Sequence, residues 1–411
     1  MVMKDVAASA PGKVLFAGAY AILLPGNTGY SVAVRNRARV WVGEDDSVGE
    51  SAPPSITIGM LQSRAACRVD GKDWSATYGK EMGPREKDRL NYVKNAAILA
   101  LRYLRASGED IRGLHISTLN DPGFTQQLGT QKTRLGSSSA VTVATVGALF
   151  KYCEKGINNG KENNENRRII ANLSQLAHAI TEKSMGSGYD VSTSVFGSQA
   201  YRRYSPVLIP EEDLDDEALV EAVEKQWDYY VEPLEFPKEI DVAFGFAESI
   251  APPSKLIQAV RAFEKSHPHS HSAVMDALDK ADKEFIGLLK GFEPSRATQL
   301  GKAFDKTWEI TKELGHLSEA PIETREMSYA FDAARRVGAW GVKLQGAGGG
   351  HTAIALCPDH STVAKVQGAW GTVFSPLYGV EISRDEAGLR AEDPKTGFRD
   401  VADSLGLMLF D

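Results

Sequence analysis

Residues 131–150 read QKTRLGSSSAVTVATVGALF: a Lys and an Arg, then one Gly and three serines opening an uncharged run that lasts until Lys151. The segment 137–153 reads as an apolar helix whose first turn carries the serines. A helix N-terminus leaves four backbone N–H groups unpaired and carries about half a positive charge, so it is a ready anion site. Serine hydroxyls add donors, or a neutral oxygen ligand for Mg2+. The same serines are also good N-caps, and the stretch alone leaves both readings open.

Two further glycine-rich stretches, each read as a loop, tip the balance toward phosphate. APGK at 10–13 lies between a short N-terminal segment and the apolar VLFAG, and LQGAGGGHTAIAL at 344–356 places four glycines in five positions between two strands. Glycine lacks the Cβ that keeps backbone N–H groups away from a bulky anion, and it reaches positive φ freely. The familiar nucleotide loops are absent. A P-loop needs Ser or Thr after its Lys, whereas Val14 follows Lys13, and a dinucleotide fingerprint begun at Gly346 would need Gly where His351 stands.

At 411 residues the chain exceeds the usual size of one core, so two domains are expected, 1–230 and 231–411. The first is expected to hold strands over residues 14–42, a helix over 88–106 and a strand over 113–121. Next come the serine helix, an Asn-rich connector, a helix over 168–184 and the turn MGSGYD. The second repeats helices with the short strands 240–247, GVKL, TAIALC and GTVFSPLYGVEI. Such mixing argues for an α+β fold.

A net charge of −7 argues against a nucleic-acid partner, and no apolar run is long enough to span a membrane. The three scattered cysteines, Cys67, Cys153 and Cys357, fit a reducing compartment, so a cytoplasmic protein is expected, monomer or homodimer.

APGKVLFAGAY, KTRLGSSSAVTVA and KLQGAGGGHTAIAL, in that order along the chain, resemble the three motifs of the galactokinase, homoserine kinase, mevalonate kinase and phosphomevalonate kinase (GHMP) superfamily. Residues 172–206 and 320–350 are similar to the phosphomevalonate branch. The resemblance implies a two-domain fold with a ferredoxin-like C-terminal domain and a site in the cleft between domains. It implies ATP and Mg2+, and transfer of the γ-phosphoryl group to 5-phosphomevalonate in the mevalonate route to isoprenoids.

By the same resemblance, Leu135, Gly136, Ser137, Ser138, Ser139 and Ala140 would wrap the ATP phosphates together with Lys132, with Ser138 near the metal. Gly346, Ala347, Gly348, Gly349 and Gly350 would support phosphates and substrate; Lys13 and Asp190 would be catalytic. Glu182 reads either as a metal ligand or as an exposed helix carboxylate.

A phosphorylated acceptor brings a charge of about −1.5 to −2 beside ATP, so extra cations are needed. Lys13, Lys132, Arg202, Arg203 and Lys343 lie near the motifs, although the two arginines could equally mark a solvated strand end. Because such a phosphate is mostly ionised at neutral pH, Asp190 is expected to orient Lys13 and the metal at least as much as to take a proton. Two other readings remain: the same fold acting on an alcohol such as mevalonate, and a non-catalytic ATP-binding sensor. SHPHSHS at 266–272 reads as a loop in preference to a metal site. Three positions depart from the family pattern: Arg134 stands where Gly is usual, Gln345 where a small hydroxyl residue is frequent and His351 where Asp is frequent.

Overall fold

The structure is a computed structural model that describes residues 4–45, 55–63, 65–80, 82–124, 133–210, 214–248, 250–377, 379–383 and 388–407. Strands β1 (Asp5–Ala17), β2 (Thr28–Glu44), β3 (Ser55–Met60), β4 (Ala65–Asp70), β5 (Ala76–Tyr78) and β6 (Gly113–Asn120) share one sheet in the order β1-β2-β6-β3-β4-β5. The short β7 (Gln199–Arg202) pairs with the start of β2, and β8 (Tyr230–Pro233) pairs with β7. Among the described residues the contact between β3 and β6 is parallel and the other strand pairings are antiparallel; the chain runs from β3 to β6 through β4, β5 and the helix α1 (Pro84–Ala106).

Behind the sheet stand α1, α2 (Ser137–Tyr152), α3 (Asn164–Glu182) and α4 (Tyr189–Phe196). α2 is apolar on every side, and a helix of that kind must be surrounded. All twelve residues from Ser139 to Phe150 are buried, against β1, α1 and α3. β1 sends Val6, Ala8, Ala10, Val14 and Phe16 into this core. APGK is thus not a loop: it lies inside β1, where the register with β2 shifts between Pro11 and Lys13.

The second half is built on the antiparallel strands β9 (Asp241–Ala247), β10 (Gly341–Leu344), β11 (His351–Cys357) and β12 (Ser375–Pro376), ordered β10-β11-β9-β12. The helices α5 (Pro253–Ser266), α6 (Pro268–Lys290), α7 (Ala297–Leu317), α8 (Arg325–Arg336) and α9 (His360–Ala369) accompany them. SHPHSHS is not a loop either, because Pro268 starts α6 at the position where a missing N–H costs nothing. The strand expected over GTVFSPLYGVEI shrinks to β12 and a single bridge between Val34 and Ile382.

The two halves share a core. Phe16 of β1 lies 5.0 Å from Phe236 and 6.0 Å from Phe304 of α7, measured between ring centres. The chain then returns to its beginning: β10 and its neighbours are left behind and the strand β13 (Arg390–Glu392) pairs antiparallel with β1 at Ala7–Ser9. The last described residues, with Phe398 and Ala402 against Trp41, therefore pack on the N-terminal sheet.

Candidate active site

A cleft of about 730 Å³ opens between the two halves, walled by β1, the α2 entry, α3, the turn before α4, α5 and the loop between β10 and β11. Gly136 caps α2 with φ +81°, and a Cβ there would lie 2.9 Å from Cε of Lys13. Its bare backbone thus lets the Lys13 side chain cross the helix entrance. Ala140 N–H bonds the Gly136 carbonyl at 3.0 Å and closes the first turn; the N–H groups of residues 137–139 meet no acceptor among the described residues. These are the free donors of an anion site.

The residues of the serine motif divide by role. Leu135 and Ala140 are buried, and the Leu135 carbonyl accepts the Lys13 amide at 2.7 Å, locking β1 to the α2 entry. Ser139 is buried too and donates to the Gly136 carbonyl at 2.9 Å, so its hydroxyl is spent inside the turn. Ser138 is half-buried, 3.4 Å from Nε2 of His178. Lys132 lies outside the described residues.

Lys13 is nearly buried, with Nζ 3.1 Å from the Tyr189 hydroxyl, 3.5 Å from the Arg134 carbonyl and 4.9 Å from the centre of the Tyr189 ring. It makes no ion pair with Asp190. The Asp190 carboxylate, in the first turn of α4, instead accepts the Val191 amide at 3.0 Å and stands 3.9 Å from Nε2 of His178. His178, which the sequence reading passed over, therefore turns Nε2 toward both Ser138 and Asp190, with its ring 5.5 Å from that of Tyr92. Tyr92 in turn donates to Glu182; burial first, and then this carboxylate, raises the pKa of the Tyr92 hydroxyl. Its place inside α3, two residues after Leu176, would not have marked His178 as anything but a helix residue.

The third motif is stitched to the second. Gln345 Nε2 donates to the Arg134 carbonyl at 3.0 Å, and Thr352 Oγ1 donates to the Thr133 carbonyl at 2.6 Å. Tyr20 donates to the Ala347 carbonyl at 2.8 Å. Gly348, at φ +77°, has room for no Cβ: one would lie 2.6 Å from Ile322 Cγ2. Gly349 donates to the Ile322 carbonyl at 2.7 Å, while Gly346 and Ala347 line the cleft and Gly350 is buried behind it. His351 begins β11 opposite Ala247.

Of the expected cations, two are elsewhere. Arg202 stacks on the Tyr230 ring at 4.4 Å, outside the cleft lining, whereas its neighbour Arg203 lines the cleft and donates to the Leu23 carbonyl at 3.1 Å. Successive side chains at a strand end point to opposite faces, so only one of the pair could face inward. Lys343 is buried beneath the cleft and donates to the Phe16 carbonyl at 2.8 Å and Thr307 at 3.0 Å. Arg261 of α5 lines the cleft, on the same helix face as Ser254, Ile257 and Gln258.

Arg134 also lines the cleft, exposed, and its backbone holds φ +61°. That conformation costs a non-glycine residue about 1–2 kcal/mol.

Known proteins carry the same architecture. Residues 91–198 match the GHMP kinases N terminal domain and residues 274–375 match GHMP kinases C terminal, together just over half of the chain. A phosphomevalonate kinase of Candida albicans is 26% identical across 94% of this chain and 98% of its own. A mevalonate kinase of Pyrococcus horikoshii is 27% identical across 95% of this chain and 99% of its own. The solved structure of Streptococcus pneumoniae phosphomevalonate kinase in complex with phosphomevalonate and AMPPNP superposes with a TM-score of 0.68 over 92% of this chain and all of that one, at 17% identity. With its two matched domains, its mixed sheets and helices and its interdomain cleft, the chain belongs to the GHMP kinase family.

Proposed function

We propose that the protein is a phosphomevalonate kinase, which moves the γ-phosphoryl group of ATP onto the phosphate of 5-phosphomevalonate and releases ADP. One observation carries this reading beyond the family: Lys13, Arg134, Arg203 and Arg261 line one cleft, and among the described residues Glu182 and Asp190 are the carboxylates beside them. A site for two phosphorylated substrates needs such a surplus, because each phosphate group adds about −1.5 to −2. The relatives named phosphomevalonate kinase support it over most of the chain.

The open N–H groups of residues 137–139 and the Ser137 and Ser138 hydroxyls are placed to receive the nucleotide phosphates. Asp190 and Glu182 line the cleft and Ser138 Oγ lies 3.4 Å from Nε2 of the cleft residue His178; these hard oxygen donors fit Mg2+, an ion that keeps water and substrate phosphates as its other ligands. Among the described residues no group of three or more His, Cys, Asp or Glu side chains could hold a metal alone, so the fit is to an ion shared with the nucleotide. When bound, Mg2+ offsets charge on the phosphates. Lys13, fixed by Tyr189, donates to the phosphoryl oxygens as charge shifts toward ADP. An acceptor phosphate is already an anion at neutral pH, so no base is required; Asp190, beside His178, would help to hold the metal.

No helix among the described residues is long and apolar enough to cross a membrane, and the three cysteines are unpaired, which supports a reducing, cytoplasmic setting. The relatives named mevalonate kinase favour a second reading, an alcohol acceptor in the same cleft. ADP release measured side by side with 5-phosphomevalonate and mevalonate separates the two. Turnover confined to 5-phosphomevalonate supports the proposal, and turnover confined to mevalonate replaces it.

A further inference from the structure

Arg134 combines three properties that rarely occur together. It is a non-glycine residue in the left-handed region, at φ +61°. Its main chain is held there from two sides, by Gln345 Nε2 at 3.0 Å and Lys13 Nζ at 3.5 Å, both on its carbonyl. Its guanidinium is exposed and lines the cleft, and it has no hydrogen-bond, ion-pair or ring partner among the described residues. A backbone outlier kept in a functional cleft is evidence for a role that offsets the strain. The other arginine of the N-terminal wall, Arg203, spends donors on Leu23 and Met185, so it is less free to meet a ligand.

Resting on the functional reading above, we propose that Arg134 is a specificity residue that grips the phosphate already present on the acceptor. The nucleotide phosphates have the α2 N–H groups and the Ser137 and Ser138 hydroxyls, and Lys13 is tied to Tyr189. The acceptor phosphate is the charge left without a donor on this wall, and a guanidinium presents it with two parallel N–H groups. An alcohol acceptor carries nothing for this side chain to hold. Arg134 therefore separates phosphorylated from unphosphorylated acceptors, at a position where glycine would relieve the backbone.

Arg134→Gly and Arg134→Lys, compared with the unmodified protein in steady-state kinetics and thermal melting, test this. Arg134→Gly is expected to raise KM for 5-phosphomevalonate about 10- to 100-fold, with KM for ATP within about twofold. It should also melt at a higher temperature, because glycine adopts this φ without penalty. Arg134→Lys should recover part of the KM but not the gain in melting temperature. A higher melting temperature with KM for 5-phosphomevalonate unchanged overturns the assignment, and so does a rise in KM for ATP alone. Calorimetric titration with 5-phosphomevalonate keeps the two proposals apart. Absent turnover by the unmodified protein sinks the functional reading, while equal affinity of that protein and Arg134→Gly, or no binding by either, sinks the role of Arg134.

Discussion

The Lys13 ammonium lies 3.1 Å from the Tyr189 hydroxyl and 4.9 Å from the centre of the same ring, so one side chain both accepts from the cation and supports it electrostatically. Asp190, the next residue, turns to His178. Tyr189→Phe keeps the ring and removes the hydrogen bond; kcat should fall about 3- to 20-fold with KM for ATP little changed. Lys13→Met removes the charge at similar volume and should lower kcat by about 100-fold or more. Initial-rate kinetics, with far-ultraviolet circular dichroism to check folding, read both.

Gly136→Ala places a methyl group 2.9 Å from Lys13 Cε on a backbone at φ +81°. The substitution should cost about 1–2 kcal/mol of stability and displace Lys13 as well. Urea unfolding and kcat should therefore fall together, and a stable, fully active variant would show that Lys13 does not depend on this crossing.

Ser138 and Ser139 should separate cleanly. The Ser139 hydroxyl already bonds the Gly136 carbonyl, so Ser139→Ala should lower stability by about 1 kcal/mol and leave the Mg2+ concentration for half-maximal activity unchanged. Ser138→Ala should raise that concentration about tenfold, as the loss of one oxygen ligand implies. Activity measured across a Mg2+ titration decides between them.

How far the sequence foretold this site depends on the kind of signal each residue left. α2 is legible because an uncharged run after a Gly and serines has few ways to fold, and α1 is legible from its apolar period. APGK misled because its Pro and Gly suggest a loop, whereas the bulge between Pro11 and Lys13 absorbs them within β1. Arg202 and Arg203 look alike in sequence, and only the strand end decides which one enters the cleft. Lys343 adjoins the glycine loop yet turns beneath it, toward Phe16 and Thr307. His178 left no local mark, since its meaning comes from Ser138, forty residues earlier, and Asp190 across the turn. Nor does the pairing of β13 with β1, nearly the whole chain apart, have a short-range signal.

The junction between the halves holds a buried pair with a pH signature. Asp282 has no solvent exposure, and burial raises its carboxyl pKa to about 7 against the opposing pull of Lys343; burial lowers Lys343 to about 8 while Asp282 raises it. Unfolded, Asp282 titrates near about 3.9. Between these values the folded state keeps a proton that the unfolded chain has lost, so the contribution of Asp282 to stability is full below about pH 4 and is lost as pH rises through about 7. Denaturation of the unmodified protein and Asp282→Asn across this range should give a stability difference that shifts in favour of the variant as pH rises. A difference that stays flat contradicts a raised Asp282.

The most direct measurement is phosphorus NMR of the product formed from ATP, Mg2+ and 5-phosphomevalonate. The expected result is loss of the phosphomonoester signal and growth of two coupled diphosphate resonances in step with ADP. An unchanged phosphomonoester, with mevalonate phosphorylated in its place or ATP merely hydrolysed, would contradict the assignment of a phosphate acceptor to this cleft.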